Sequence, residues 1–100
     1  MNYEFSPFAE SDLIEIADFI AADNPVAARK LVTDIHKACE KLAKMPTLGH
    51  PRKDLTPDPE VLFYCVRHHY LVIYRKATDP LQIARVLHGA RDLTEELDES

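Results

Sequence analysis

One hundred residues, 46% of them apolar, suit one domain with a small core, which needs close packing or a partner to be stable. The formal net charge is −5, and no run approaches the roughly 20 apolar residues that a membrane span requires. Met1-Asn2-Tyr3-Glu4 lacks the basic start and apolar stretch of a secretory signal, so the expected compartment is the cytoplasm.

Tyr3 to Phe5 reads as a short edge strand. Ser6 then offers a capping oxygen and Pro7 takes the first helical position, where its missing N–H costs nothing. Ala9, Leu13, Ile16, Ala17 and Ile20 recur at helical spacing, with Glu10, Asp12, Glu15 and Asp18 mostly on the other side. Asn24-Pro25 repeats the cap-and-proline device, so one helix ends near Ala22 and the next begins near Val26. The second helix has a buried stripe of Ala28, Leu31, Val32, Ile35, Cys39 and Leu42, and a wet side of Lys30, Lys37, Lys41 and Lys44. Helices joined this tightly form an antiparallel hairpin. Pro46, Gly49, Pro51, Pro57 and Pro59 mark a loop.

Three strand-like runs follow, Val61 to Val66, Tyr70 to Lys76 and Leu81 to His88, with links short enough for an antiparallel meander. Gly89 is expected to let the backbone turn where a Cβ would clash. The fold class is therefore α+β: a β-α-α-β-β-β order in which the hairpin covers one face of a mainly antiparallel, curved sheet. Residues 1–100 form a single domain, with room for a short C-terminal helix and with 92–100 as an acidic tail.

Charge is distributed in blocks. Met1 to His36 carries two basic against seven acidic residues, Lys37 to Arg91 ten against five, and Asp92 to Ser100 five acids and no base. A central basic segment can face an anionic partner, while acidic ends disfavour nucleic-acid binding by the whole surface.

Cys39 and Cys65 fit neither a spaced metal motif nor a disulfide scaffold and read as buried thiols. The adjacent His68 and His69 would diverge on a strand or in a turn, so no metal site and no cofactor is expected.

Several anchors occur in order: Ser6-Pro7 with Ala9, Asp12-Leu13 and Ile16; Asn24-Pro25; Leu42-Ala43 before Pro46 and Gly49; Tyr70 to Arg75; and His88-Gly89-Ala90-Arg91. Over about residues 3 to 93 the chain thereby resembles the ParE-type toxins of the RelE/ParE superfamily. The resemblance implies the toxin of a type II toxin-antitoxin pair that inhibits DNA gyrase by binding, without catalysis. It also implies a ParD-like ribbon-helix-helix antitoxin as partner, with operator DNA reached only through that antitoxin.

RelE-like relatives instead cut messenger RNA on the ribosome, which requires groups for proton transfer and for phosphate charge. By resemblance their sheet arginine falls at Leu71 here and their C-terminal tyrosine near Leu97, leaving Arg91 as the one charged match. That activity is the alternative, and a non-toxic antitoxin-binding module a further one. Arg67, Arg75, Arg85, His88 and Arg91 are the candidate target contacts, although arginines there can also pair with Asp54, Asp58 or Glu60. Tyr3, Phe8, Phe19 and Phe63 are the candidate antitoxin contacts, or else core residues.

Overall fold

The computed structural model describes residues 3–89. Its elements are β1 (Tyr3–Phe5), α1 (Pro7–Ala21), α2 (Pro25–Lys44), a single 3-10 turn (Pro46–Leu48), β2 (Val61–Val66), β3 (Tyr70–Arg75) and β4 (Leu81–His88). Both caps form as the sequence predicts: the Ala9 N–H donates to Ser6 Oγ at 3.0 Å and the Ala27 N–H to Asn24 Oδ1 at 3.1 Å. Arg91, the tail 92–100 and any short helix within it lie outside the described residues.

One sheet has the order β1-β4-β3-β2. The last three strands make the expected antiparallel meander, and β1 adds to β4 in parallel, with Tyr3 beside Leu81 and Phe5 beside Ile83. Ile73 pairs with Arg85 and Tyr74 with Ile83, so Ala84 is an extra residue, a β-bulge. Ser6 uses this irregularity. Its N–H donates to Ile83 C=O at 2.9 Å and its hydroxyl to Ala84 C=O at 2.7 Å, which fixes the start of α1 on the sheet.

The hairpin covers one face of the sheet. Ala9 and Ile16 from α1, and Leu31, Ile35, Ala38, Cys39 and Leu42 from α2, pack with Leu62, Val66, Val72, Tyr74, Leu81, Ile83 and Val86. Alternate strand residues point the other way and build a second cluster of Phe63, Leu71, Ile73 and Leu87, against which Leu55 of the loop packs.

The proline-rich segment is held by one buried side chain. Tyr74 Oη accepts from the Gly49 N–H at 2.9 Å and donates to Pro46 C=O at 2.6 Å. A Cβ on Gly49 would lie 2.6 Å from that oxygen, so glycine is required there. Gly89 is different from the expectation: its φ is not positive and an added Cβ would meet nothing closer than 3.6 Å. The β2 edge is shortened by His50, which exchanges two 2.9 Å backbone hydrogen bonds with Phe63.

Cys39 is buried as expected, whereas Cys65 is exposed. The sequence pattern marks Cys65 as a strand residue, but β2 is the outermost strand and Cys65 sits at its uncovered end.

Candidate functional site

The described candidate residues separate into two groups at opposite ends of the sheet. At the end where Arg75 pairs with Gln82, both residues line a recess together with Phe8, Ala84 and Arg85. At the other end Tyr70 pairs with His88, beside the β2–β3 turn that carries Arg67. Four rows of strand pairing lie between the Arg75–Gln82 and Tyr70–His88 rows, so the two groups do not form one cationic cluster.

Within the recess, neither arginine is an isolated cation. Arg75 donates to Asp58 Oδ2 at 3.0 and 3.1 Å, as the sequence allowed. Arg85 donates from Nε to Asp12 Oδ2 at 2.7 Å and from Nη2 to Oδ1 at 3.0 Å, a two-point pairing of fork to carboxylate. The same Asp12 accepts the Val86 N–H at 3.0 Å. Because β1 ends at Phe5, β4 has no backbone partner on that side beyond Ile83, and the α1 carboxylate replaces the missing strand. Arg85 also lies 6.0 Å from the centroid of the exposed Phe8 ring.

At the far end, Arg67 and His68 have φ of 53° and 64°. Two successive left-handed residues define a tight turn of the hairpin type, here without glycine, at a cost of about 1 kcal/mol or more for each. The turn directs Arg67 Nε onto Asp34 Oδ2 of α2 at 2.6 Å. His69 and His88 stack with centroids 6.0 Å apart and planes 6° apart, while Tyr70 meets His88 edge-on at 5.3 Å. The Gly89 N–H closes this corner by donating to His69 C=O at 2.7 Å. Arg91 lies outside the described residues.

The four aromatic candidates also divide. Tyr3 and Phe63 are buried and belong to the two apolar clusters, which removes them from any docking surface of this structure. Tyr3 also shares a 2.8 Å hydrogen bond with His36 Nδ1. Phe8 and Phe19, by contrast, are 70% and 71% exposed on α1, eleven residues and so about three helical turns apart on one side. Ile14 is exposed on the same helix.

No group of three or more His, Cys, Asp or Glu that could hold a metal ion occurs among the described residues. No helix there is long and apolar enough to cross a membrane.

The architecture is a two-helix hairpin on one face of a four-stranded mixed sheet, an α+β fold. The family model for "ParE toxin of type II toxin-antitoxin system, parDE" matches residues 3–93, and the chain belongs to that family. A solved structure described as the chromosomal ParDE TA system from P. aeruginosa is similar in fold, with a TM-score of 0.69 and 23% identity over 88% of this chain and 95% of that one. No protein of curated function matches the sequence.

Proposed function

We propose that this toxin acts by binding DNA gyrase, without catalysing a reaction of its own, and that a ParD-like ribbon-helix-helix antitoxin neutralises it. Family membership over residues 3–93 carries the reading. Leu71 adds to it. RNA-cleaving relatives are expected to carry an arginine at this sheet position, and here it is a leucine only 9% exposed, which can neither stabilise phosphate charge nor relay a proton. The neighbouring arginines are each paired with a carboxylate, Arg67 with Asp34, Arg75 with Asp58 and Arg85 with Asp12.

Antitoxin binding has its own support. Phe8, Ile14 and Phe19 are largely exposed on α1, and a partner helix can bury such apolar surface. The ParDE system of the P. aeruginosa structure pairs a toxin with an antitoxin, which favours the same arrangement here. Operator DNA would then be reached through the antitoxin.

The test is controlled expression without the neighbouring gene, followed by a supercoiling assay with purified protein. Loss of supercoiling with gyrase-linked, cleaved DNA is the expected result. Cleaved transcripts in a translating extract, with supercoiling untouched, would overturn the reading in favour of an mRNA endonuclease.

A further inference from the structure

The sheet arginines are held by carboxylates, but the lysines of α2 are not. Lys30, Lys37, Lys41 and Lys44 are all exposed, and none takes part in an ion pair among the described residues; the one polar contact in the set is a 3.5 Å hydrogen bond from Lys41 Nζ to Tyr64 Oη. Their spacing of seven, four and three residues puts them on one side of the helix. From first to last they span about 21 Å at the helical rise of roughly 1.5 Å per residue. The depressions beside them, lined by Asp34, Lys37, Tyr64 and Arg67, are shallow surface features and not clefts.

Four ammonium groups in a straight exposed row suit a long, regular anion. Lysine is a flexible point charge and does not demand the paired geometry that arginine gives a single carboxylate. On duplex DNA, phosphates of one strand recur every 3.4 Å or so of axis, so about six steps lie under the row. A peptide would need an enclosing groove and apolar pockets to be held in register, and this surface lacks depth and exposes large apolar side chains only at its two ends, Val26 and Met45. The neighbouring helix sets the orientation: α1 carries Glu10, Asp12, Glu15 and Asp18 and no base, so it repels the same polyanion.

We propose that the Lys30–Lys37–Lys41–Lys44 row of α2 is a DNA-backbone contact, through which the toxin itself touches duplex DNA without reading its sequence. This goes beyond the reading of the target. Gyrase inhibition and direct duplex binding can each occur without the other, and separate assays report them.

The experiment is fluorescence anisotropy of the purified full chain with a labelled 20-base-pair duplex, over a range of salt. The expected Kd lies between about 1 and 100 µM, and log affinity should fall against log salt with a slope near −4, each neutralised phosphate contributing about −0.9. Replacing all four lysines by Gln should reduce affinity at least about tenfold and flatten that slope, while circular dichroism and the melting curve confirm the fold. The control variant Lys53→Gln/Lys76→Gln, which removes two cations elsewhere, should bind as the wild type does. Three results would overturn the proposal: no binding at low salt, an equal loss in the control variant, or a polyglutamate peptide of matched charge binding as tightly as the duplex. The last would mark the row as a site for an acidic protein.

Discussion

The two helices of the hairpin lie side by side on the same sheet, yet they are built in opposite ways. α2 contributes six buried residues, Ala28, Leu31, Ile35, Ala38, Cys39 and Leu42, and turns a basic side outward. α1 buries only Ala9 and Ile16, leaves Phe8, Ile14 and Phe19 exposed, and carries four acids. The first is a core helix with a charged back. The second is held in part by its polar fixtures, the Ser6 cap on the bulge and Asp12 on Arg85 and Val86, and keeps apolar surface in reserve. The two helices of one hairpin thus differ in burial, α2 supplying most of the helical core contacts and α1 most of the exposed apolar surface.

That division is open to direct tests. Ile35→Ala, at a fully buried α2 position, should destabilise by about 3 kcal/mol, whereas Ile14→Ala on α1 should stay within about 0.5 kcal/mol. In thermal unfolding the first should lower Tm by more than about 10 °C, and comparable shifts from both would erase the contrast. Next, Asp12→Ala should cost about 2 kcal/mol, because the Val86 N–H loses its acceptor and Arg85 its partner. Arg85→Ala should cost clearly less, since Asp12 can still accept from Val86 and the Arg85 side chain is about a third exposed, at 34%. The opposite ranking would mean that the cation, not the carboxylate, holds α1 on the sheet.

The docking half of the contrast is sharpened by Phe8→Ser and Phe19→Ser. Each should leave the isolated toxin's melting point nearly unchanged. Each should weaken antitoxin binding by about 2 kcal/mol, or roughly thirtyfold, if the side chain is a central contact. Isothermal titration against the antitoxin measures this, with the antitoxin-induced rise in Tm as a second readout. Lys37→Gln should be silent in the same titration, and an equal loss there would show that both helices face the antitoxin.

Much of this architecture is local and so was legible from the sequence. Ser6-Pro7 and Asn24-Pro25 place the helix starts by chemistry confined to a few residues, and the apolar periodicity of α2 is explicit. The parts that sequence reading missed depend on which distant elements meet. Alternation in Val61 to Val66 identifies a strand but cannot say that β2 is outermost, and that is why Cys65 is exposed. The parallel addition of β1 to β4, the bulge at Ala84 and the Asp12–Arg85 pairing across 73 residues all follow from tertiary packing. Asp58 was foreseeable as a partner for Arg75 from charge alone, but Asp34 for Arg67 required the geometry of the turn. Phe8 and Phe19 fall off the apolar stripe of α1, as its helical spacing implies, whereas the burial of Tyr3 and Phe63 depends on how the sheet is assembled.

The smallest effect concerns the core side of α2. Burial, with a smaller contribution from Glu40, pushes the Cys39 thiol up to about 12. In the unfolded chain a cysteine ionises near 8.5. The folded state thus holds its proton more tightly, and Cys39's contribution to stability is complete below about pH 8.5 and declines as pH rises toward 12. By pH 9.5 the loss should be on the order of 1 kcal/mol. Tyr3 and Tyr74 are also raised by burial and add a decline of the same sign, but only above about pH 10, where unfolded tyrosine ionises. Urea unfolding between pH 8.5 and 10 therefore isolates the thiol. Cys39→Ala should flatten the slope in that window, although the substitution itself lowers overall stability. A parallel titration with a thiol reagent at neutral pH should modify the exposed Cys65 in the folded chain and reach Cys39 only after denaturation. Rapid modification of both would show that α2 opens readily, contrary to its role as the core helix.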